Sequence, residues 1–283
     1  MITETRDIEV GDWRFTADLS RGGNEPVLFL HGFPETRHMW RHQVAALGAA
    51  GFHAVAPDQR GYSRGARPAN VEAYATDLLT GDALGLMDAL GYERFHLVGH
   101  DWGGQLSWLI AATKPERLLS LSVLSRPHPA AFARAMVEDR HQATRSGHHR
   151  AFREADAVKR MREANLEPLR VALSHQGVPA RDVDVYCDAL MDDGAIEGAM
   201  SWYRATGFNA GEVPAVTVPT LYVWGTDDAT VGRRAAELTA EHVTGPYRFE
   251  VVAGAGHFLV DQFPDQIGAL LLSHIESRRW VRA

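Results

Sequence analysis

The chain has 283 residues, of which 45% are hydrophobic and 23% are charged, and its formal net charge at pH 7 is -7. Such a composition is typical of one globular domain with a sizeable core, and the negative charge argues against nucleic acid or an anionic membrane as a main partner. The single cysteine excludes an intrachain disulfide, and together with the lack of a signal-peptide or membrane-spanning apolar run it predicts a cytoplasmic location.

Short continuous apolar runs alternate with helical patterns along most of the chain. This alternation predicts a mostly parallel, doubly wound α/β sheet whose strands are buried on both faces. In chain order we expect strands within 8–19 with a turn at Gly11-Asp12, then at 26–30, 53–56, 95–98, 118–124, 220–224 and 247–252, and helices at 40–50, 71–90, 101 to about 113 and about 264–279.

One long stretch, residues 126–213, has no strand pattern and contains only helical segments broken by proline and glycine. We therefore predict an α/β core made of residues 1–125 and 214–283, with a helical insertion at 126–213, called the cap below. Ligands of such sheets bind at the carboxyl ends of the parallel strands. A cap inserted there would cover the binding site.

An acidic residue stands at the point where the strand at 95–98 runs into the next helix. Segment 99–104 has the sequence Gly-His-Asp-Trp-Gly-Gly, and the nucleophile turn of α/β-hydrolases has the form Gly-x-nucleophile-x-Gly. Asp101 occupies the position of the nucleophile. A carboxylate can attack a saturated carbon and form an ester that water later hydrolyses. The sequence therefore predicts alkyl transfer to Asp101, the alternative being an ordinary loop with an aspartate helix cap.

The other catalytic groups are expected to follow later strands, with the acid before the histidine. Gly-Thr-Asp-Asp at 225–228 supplies the acid, for which the Gly-x-x-Asp spacing favours Asp228 over Asp227. His257 has small neighbours at the end of the strand at 247–252, which favours it as the base among the 14 histidines. The backbone N–H groups of Phe33 and Trp102 are the predicted oxyanion donors.

Taken together, the motifs resemble those of the epoxide hydrolase branch of the α/β-hydrolases, and they are spread over nearly the whole chain. The resemblance implies an enzyme without cofactor or metal that opens a small, mostly apolar epoxide to a diol through an ester on Asp101, as a monomer or homodimer. The motifs are His-Gly-Phe-Pro-Glu at 31–35, Asp-Gln-Arg-Gly-Tyr-Ser at 58–63, the turn at 99–104, Pro-His-Pro at 127–129 and Ser-Trp-Tyr-Arg at 201–204.

The resemblance further implies two tyrosines in the cap whose hydroxyls hold the epoxide oxygen and assist its protonation. Tyr203 matches the second of them. The first belongs to a segment that usually has the pattern Arg-Ser-x-Tyr, whereas this chain has Arg-Ser-Gly-His and places His148 there. Because an imidazole can donate a hydrogen bond and titrates near neutrality, His148 is a candidate replacement. Its alternative role is that of a residue on the cap surface.

Two other functions stay open at this stage. A haloalkane-type dehalogenase would use the same triad, although such enzymes tend to have a polar residue where this chain has Phe33. Fluoroacetate dehalogenases follow the nucleophile with arginines, and Trp102 and Gln105 occupy those places here, which disfavours a small carboxylate substrate. A non-catalytic ligand-binding member of the fold would not need an acid–histidine pair to activate water.

Overall fold

The computed structural model describes residues 3–205 and 213–278. Its strands are β1 Thr3–Val10, β2 Trp13–Ser20, β3 Glu25–Leu30, β4 Phe52–Pro57, β5 Phe95–His100, β6 Leu118–Leu124, β7 Thr220–Gly225 and β8 Tyr247–Val252. They form one eight-stranded sheet in the order β1-β2-β4-β3-β5-β6-β7-β8. β2 is antiparallel to both β1 and β4, and all later neighbours are parallel. The predicted mostly parallel sheet is confirmed.

Helices connect the parallel strands, and α1 contacts α13 while α2 contacts α3. Within the described residues the helices are α1 Arg41–Ala49, α2 Thr76–Ala89, α3 Asp101–Thr113, α4 Pro129–Glu138, α5 Arg140–Arg145, α6 His148–Arg153, α7 Ala157–Glu163, α8 Glu167–His175, α9 Ala180–Met191, α10 Ala195–Ala205, α11 Arg233–Leu238, α12 Leu259–Gln262 and α13 Pro264–Glu276.

Two predicted helices and two short helices without a prediction separate the expectation from the structure. The segment predicted as one helix over 71–90 is a short 3₁₀ turn followed by α2, because Ala75 between them has an extended ψ of 144°. The helices α11 and α12 were not predicted, since segments of 6 and 4 residues are too short to show a helical period. The final helix ends at Glu276, and Arg279, where it was predicted to end, lies outside the described residues.

In the part of this stretch that the structure describes, seven helices, α4 to α10, lie between β6 and β7. The cap contains no strand in its described part, residues 126–205 and 213, while residues 206–212 lie outside the described residues. A buried polar cluster joins the cap to the core, in which the Tyr186 hydroxyl donates to both oxygens of Asp261, at 3.0 and 2.8 Å. Arg41 bridges Asp261 and Asp182. The division of the chain into a core and a cap domain stays a prediction.

The turn after β5 is closely packed against the end of β3. A Cβ atom on Gly103 would lie 2.1 Å from the carbonyl oxygen of Leu30, and one on Gly32 would lie 2.4 Å from the Cβ of Asp101. Both distances are far below van der Waals contact. Glycine is therefore required at these positions so that the backbone of α3 can approach the end of β3.

We expect Gly103→Ala to destabilise the fold by about 3 kcal/mol or more, because the new methyl group would overlap backbone that cannot move away. Gly268→Ala is the matched control: it lies inside α13, and a Cβ there meets no atom within 4 Å. That change should be neutral or should stabilise by about 0.5–1 kcal/mol through helix propensity. Urea unfolding of both variants measures the difference, and equal stabilities would contradict the close approach.

Candidate active site

Asp101 lies at the junction of β5 and α3, with its backbone in the left-handed region at a φ of 48°. A residue other than glycine rarely adopts this conformation, and it is found preferentially at functional sites. The backbone N–H of Phe33 donates to Asp101 Oδ1 at 3.0 Å. The N–H of Trp102 belongs to the first turn of α3, where N–H groups have no acceptor within the helix. The structure thus places the Phe33 N–H on the Asp101 carboxylate, and the role of both N–H groups as oxyanion donors stays a prediction.

The loops after β7 and β8 bring an acid and a histidine to the same edge of the sheet. His257 Nδ1 lies 3.2 Å from Asp228 Oδ2, and His257 Nε2 lies 3.7 Å from Asp101 Oδ2. The other oxygen of Asp228 accepts the N–H groups of residues 230 and 231 at 2.7 and 2.8 Å. Asp227 is exposed, and its Oδ1 accepts a hydrogen bond from the preceding threonine. The geometry thus pairs His257 with Asp228 and not with Asp227.

The charges of these three buried side chains depend on one another. Burial alone lowers the pKa of His257, but the negative charges of Asp228 and Asp101 outweigh it and raise that pKa to about 10. Burial alone raises the pKa of Asp101, but the hydrogen bond and positive charge of His257 hold it well below its usual range. The resting site is therefore a carboxylate–imidazolium–carboxylate group. Loss of the charge on Asp101 would lower the pKa of His257.

A second buried pair supports the loop that carries His257, and the sequence analysis did not identify it. His100 Nδ1 lies 2.9 Å from Glu35 Oε2, and His100 Nε2 lies 2.9 Å from the carbonyl oxygen of His257. Since both ring nitrogens face acceptors, the ring is an imidazolium. Its pKa, which burial lowers, is raised overall by the charge of Glu35. Glu35 belongs to the motif at 31–35 and His100 to the motif at 99–104. Membership in these motifs is the signal in the sequence that could have indicated a role for the two residues.

Tyr203, on α10, packs against the side chains of Trp102 and Phe33. Its ring centroid is 5.0 Å from that of Trp102 and 5.6 Å from that of Phe33, both in edge-to-face geometry. The side chain is buried. Burial, together with the negative charge of Asp101, raises the pKa of the Tyr203 phenol well above 10. The hydroxyl is therefore protonated at neutral pH and can donate a hydrogen bond or a proton.

Two adjacent histidines at the start of α6 face Tyr203, whereas the sequence analysis considered only the first. The His148 ring is 6.5 Å and the His149 ring is 5.2 Å from the Tyr203 ring. His148 is half-buried and its Nδ1 lies 3.2 Å from the carbonyl oxygen of Arg145. Burial lowers the pKa of both histidines, that of His149 to about 2. Both rings are therefore neutral, and a neutral His148 that donates Nδ1–H to Arg145 has no N–H left for a ligand.

No group of three or more histidine, cysteine, aspartate or glutamate side chains among residues 3–205 and 213–278 is arranged to hold a metal ion. Within the same ranges, no helix has the length and apolar character needed to cross a bilayer.

Comparisons with known proteins identify the family of the chain. A family model described as the α/β hydrolase fold matches residues 25–264. The chain is 32% identical over 271 residues to mouse Epoxide hydrolase 4, covering 91% of this chain and 75% of that protein. It is 32% identical over 298 residues to Epoxide hydrolase A of Mycobacterium tuberculosis, covering 89% of this chain and 91% of that protein. The crystal structure of a Bacillus megaterium epoxide hydrolase in complex with an inhibitor matches with a TM-score of 0.87 at 27% identity, covering 96% of this chain and 100% of that one.

Replacing Asp101 by asparagine should lower the pKa of His257 from about 10 by ~1–3 units, because a neighbouring carboxylate that favours the imidazolium is removed. Asp228→Asn should act in the same direction. Asp227→Asn is the matched control and should leave the His257 pKa in place, since its exposed carboxylate makes no contact with the ring. Titration of the histidine ring signals by NMR measures these values. An effect of Asp227→Asn that equals that of Asp228→Asn would refute the assignment of the acid.

Proposed function

Because the chain belongs to the α/β-hydrolase family, among its epoxide hydrolase-like members, we propose that it opens a mostly apolar epoxide to a vicinal diol through an ester on Asp101. The observation that carries the proposal is the position of the Asp101 carboxylate. One of its oxygens accepts the Phe33 N–H, the other faces His257, and a buried tyrosine lies above. A nucleophile, an oxyanion site, a base and a proton donor are thereby combined in one place.

Alkylation is the first step. Oδ2 of Asp101 attacks an epoxide carbon while Oδ1 keeps its hydrogen bond to the Phe33 N–H. The carbon–oxygen bond of the ring breaks, and the departing oxygen takes the proton of the Tyr203 hydroxyl. The product is a hydroxyalkyl ester of Asp101 with a tyrosinate nearby. The His257 imidazolium then returns a proton to that tyrosinate, directly or through water, and becomes neutral.

Hydrolysis of the ester is the second step. The ester carries no charge, so one of the two anions that raised the pKa of His257 is gone, and the neutral ring is available as a base. His257 takes a proton from water, and the hydroxide attacks the ester carbon. The negative charge develops on Oδ1, where the N–H groups of Phe33 and Trp102 stabilise it. Collapse releases the diol with the former Oδ2, which takes the proton back from His257, while the water oxygen stays in Asp101. The second proton of that water then passes from the Asp101 carboxyl to His257, which restores the carboxylate and the imidazolium.

The walls of the site support an apolar substrate body. The rings of Phe33, Trp102, Phe152 and Tyr203 contact one another, with the Phe152 ring 5.2 Å from that of Phe33 and 5.0 Å from that of Tyr203. Aromatic faces of this kind bind apolar groups and exclude water. Exclusion of water also strengthens the charge interactions of the triad.

A haloalkane-type dehalogenase is the second candidate, because the site contains one hydrogen-bond donor that could bind a halide. The buried Nε1 of Trp102 has no hydrogen-bond acceptor among the described residues, and an indole N–H can hold a departing halide. Alkylation of Asp101 by a haloalkane would need no proton from Tyr203. Release of bromide from 1-bromobutane by the parent enzyme, with no diol formed from styrene oxide, would favour this candidate over the epoxide hydrolase.

His257→Gln should trap the ester, because alkylation does not need the base whereas hydrolysis does. After addition of styrene oxide, intact-protein mass spectrometry should show the alkyl-enzyme, with turnover lowered by several orders of magnitude, as is typical of an interdependent catalytic group. The double variant Asp101→Asn/His257→Gln is the control and should show no adduct. An adduct that persists in the double variant would remove Asp101 from the role of nucleophile.

Tyr203→Phe should slow alkylation of Asp101 by a factor of ~10²–10⁴, the usual contribution of one positioned acid. His148→Ala should slow it by less than ~10-fold, because the neutral ring already donates its N–H to Arg145. Tyr186→Phe is the matched control in the cap, since its hydroxyl is bound to Asp261. Single-turnover kinetics of ester formation give the rates.

The role of His148 as a replacement for the first cap tyrosine stays a proposal, and the same kinetics test it. A loss for His148→Ala as large as that for Tyr203→Phe would make His148 the second donor. His148→Tyr, which supplies a hydroxyl at that position, should then keep or raise the rate of alkylation.

A further inference from the structure

Arg126 is a buried cation beside the proposed active site that the proposed mechanism does not use. It is the second residue after β6 and is 6% exposed. Among the residues that the structure describes, no carboxylate lies within ion-pair distance of it. Arg60, the other arginine buried to this degree in the described ranges, is paired with Asp82 at 2.6 Å. Burying an ion without a partner is costly, and an apolar residue of similar size would often be more stable there.

The contacts of the guanidinium leave one edge unused. Nε and Nη2 both donate to Oε1 of Gln105, at 3.0 and 2.8 Å, and the guanidinium carbon lies 4.4 Å from the ring centroid of Phe132. Both partners are uncharged. Nη1 makes no hydrogen bond to any described residue. A guanidinium has five N–H donors in one plane, so its Nη1–Nη2 edge still has the geometry that binds both oxygens of a carboxylate.

The position of Gln105 places this guanidinium next to the nucleophile. Gln105 is four residues after Asp101 on α3, and residues with this spacing lie on the same side of a helix. On the cap side, the positive charge of Arg126 adds to burial in lowering the pKa of both His148 and His149. The guanidinium therefore contacts the nucleophile helix through Gln105 and the first cap helix, α4, through Phe132.

We propose that Arg126 binds a carboxylate of the substrate, so that the preferred epoxide has an apolar body and one carboxylate remote from the epoxide ring. This inference rests on the proposed function. The sequence analysis disfavoured a small carboxylate substrate because the residues that follow the nucleophile are not arginines. In the structure the guanidinium comes from a different segment, the one after β6. It donates directly to the side chain of Gln105.

The test compares two epoxides of similar shape, 4-(oxiran-2-yl)benzoate and 4-methylstyrene oxide. The parent should prefer the carboxylate by ~10-fold or more in kcat/KM, the effect of a charge-assisted hydrogen-bond pair. Arg126→Met should abolish that preference, which is a loss of ~10-fold or more in the ratio. Gln105→Glu, which gives the guanidinium a carboxylate of its own with almost no change in shape, should reduce it as well. Arg117→Met is the matched control, because Arg117 also lies over an aromatic ring, that of Phe95, but at the amino ends of β5 and β6, opposite the edge that carries the triad.

Binding of 4-ethylbenzoate and 4-ethylbenzamide, measured by calorimetry, tests the same site without epoxide chemistry. The parent should bind the carboxylate ~10-fold or more tightly than the amide, and Arg126→Met should abolish that difference. Binding of this kind in a protein that hydrolyses neither epoxide would support the carboxylate site while the proposed function fails. Hydrolysis of both epoxides with a ratio that the variants do not change would overturn the carboxylate site alone. An equal loss of kcat/KM for both epoxides in Arg126→Met would also overturn the carboxylate site. Such a loss would mean that Arg126 stabilises the fold or contacts the epoxide oxygen.

Discussion

Two buried carboxylates, Asp101 and Asp228, share one imidazole, and the function of the site depends on the balance of their charges. A carboxylate buried without a cation takes up a proton and loses its nucleophilicity. An imidazole buried without an anion stays neutral at all relevant pH values. Each group therefore has the protonation state that the proposed chemistry needs only while the others are present. The parallel sheet makes this possible, because β5, β7 and β8 end at one edge and their loops meet there.

The strands and the triad could be predicted because their signals are local. A strand buried on both faces needs a continuous apolar run, as in β5 and β7, which are buried at every position. A helix that crosses the end of a strand at close range needs glycine, as at Gly103. Each of these requirements is met by a few consecutive residues, so a single sequence is enough to identify them. The same reasoning found Asp101 from the small residues that surround it.

The remaining site residues could not be predicted because their roles depend on orientation. His148 and His149 are neighbours, and only the direction in which α6 begins decides which ring is buried. Glu35 and His100 are 65 residues apart, and neither has a local pattern that indicates the pairing. Arg126 resembles any surface arginine in the sequence. Its guanidinium is held by Gln105 on α3 and lies over the Phe132 ring on α4, and no short sequence motif predicts that these two elements enclose it.

The hydrogen bond from the Phe33 N–H makes the two oxygens of Asp101 chemically distinct. On the proposed mechanism the oxygen held by this N–H never leaves, while the other departs with the diol and is replaced by an oxygen from water. The side chain of Asp101 is thus partly renewed in each catalytic cycle. The oxygen that a diol receives entered the protein one cycle earlier, so each enzyme molecule retains an isotopic record of the water in which it last turned over.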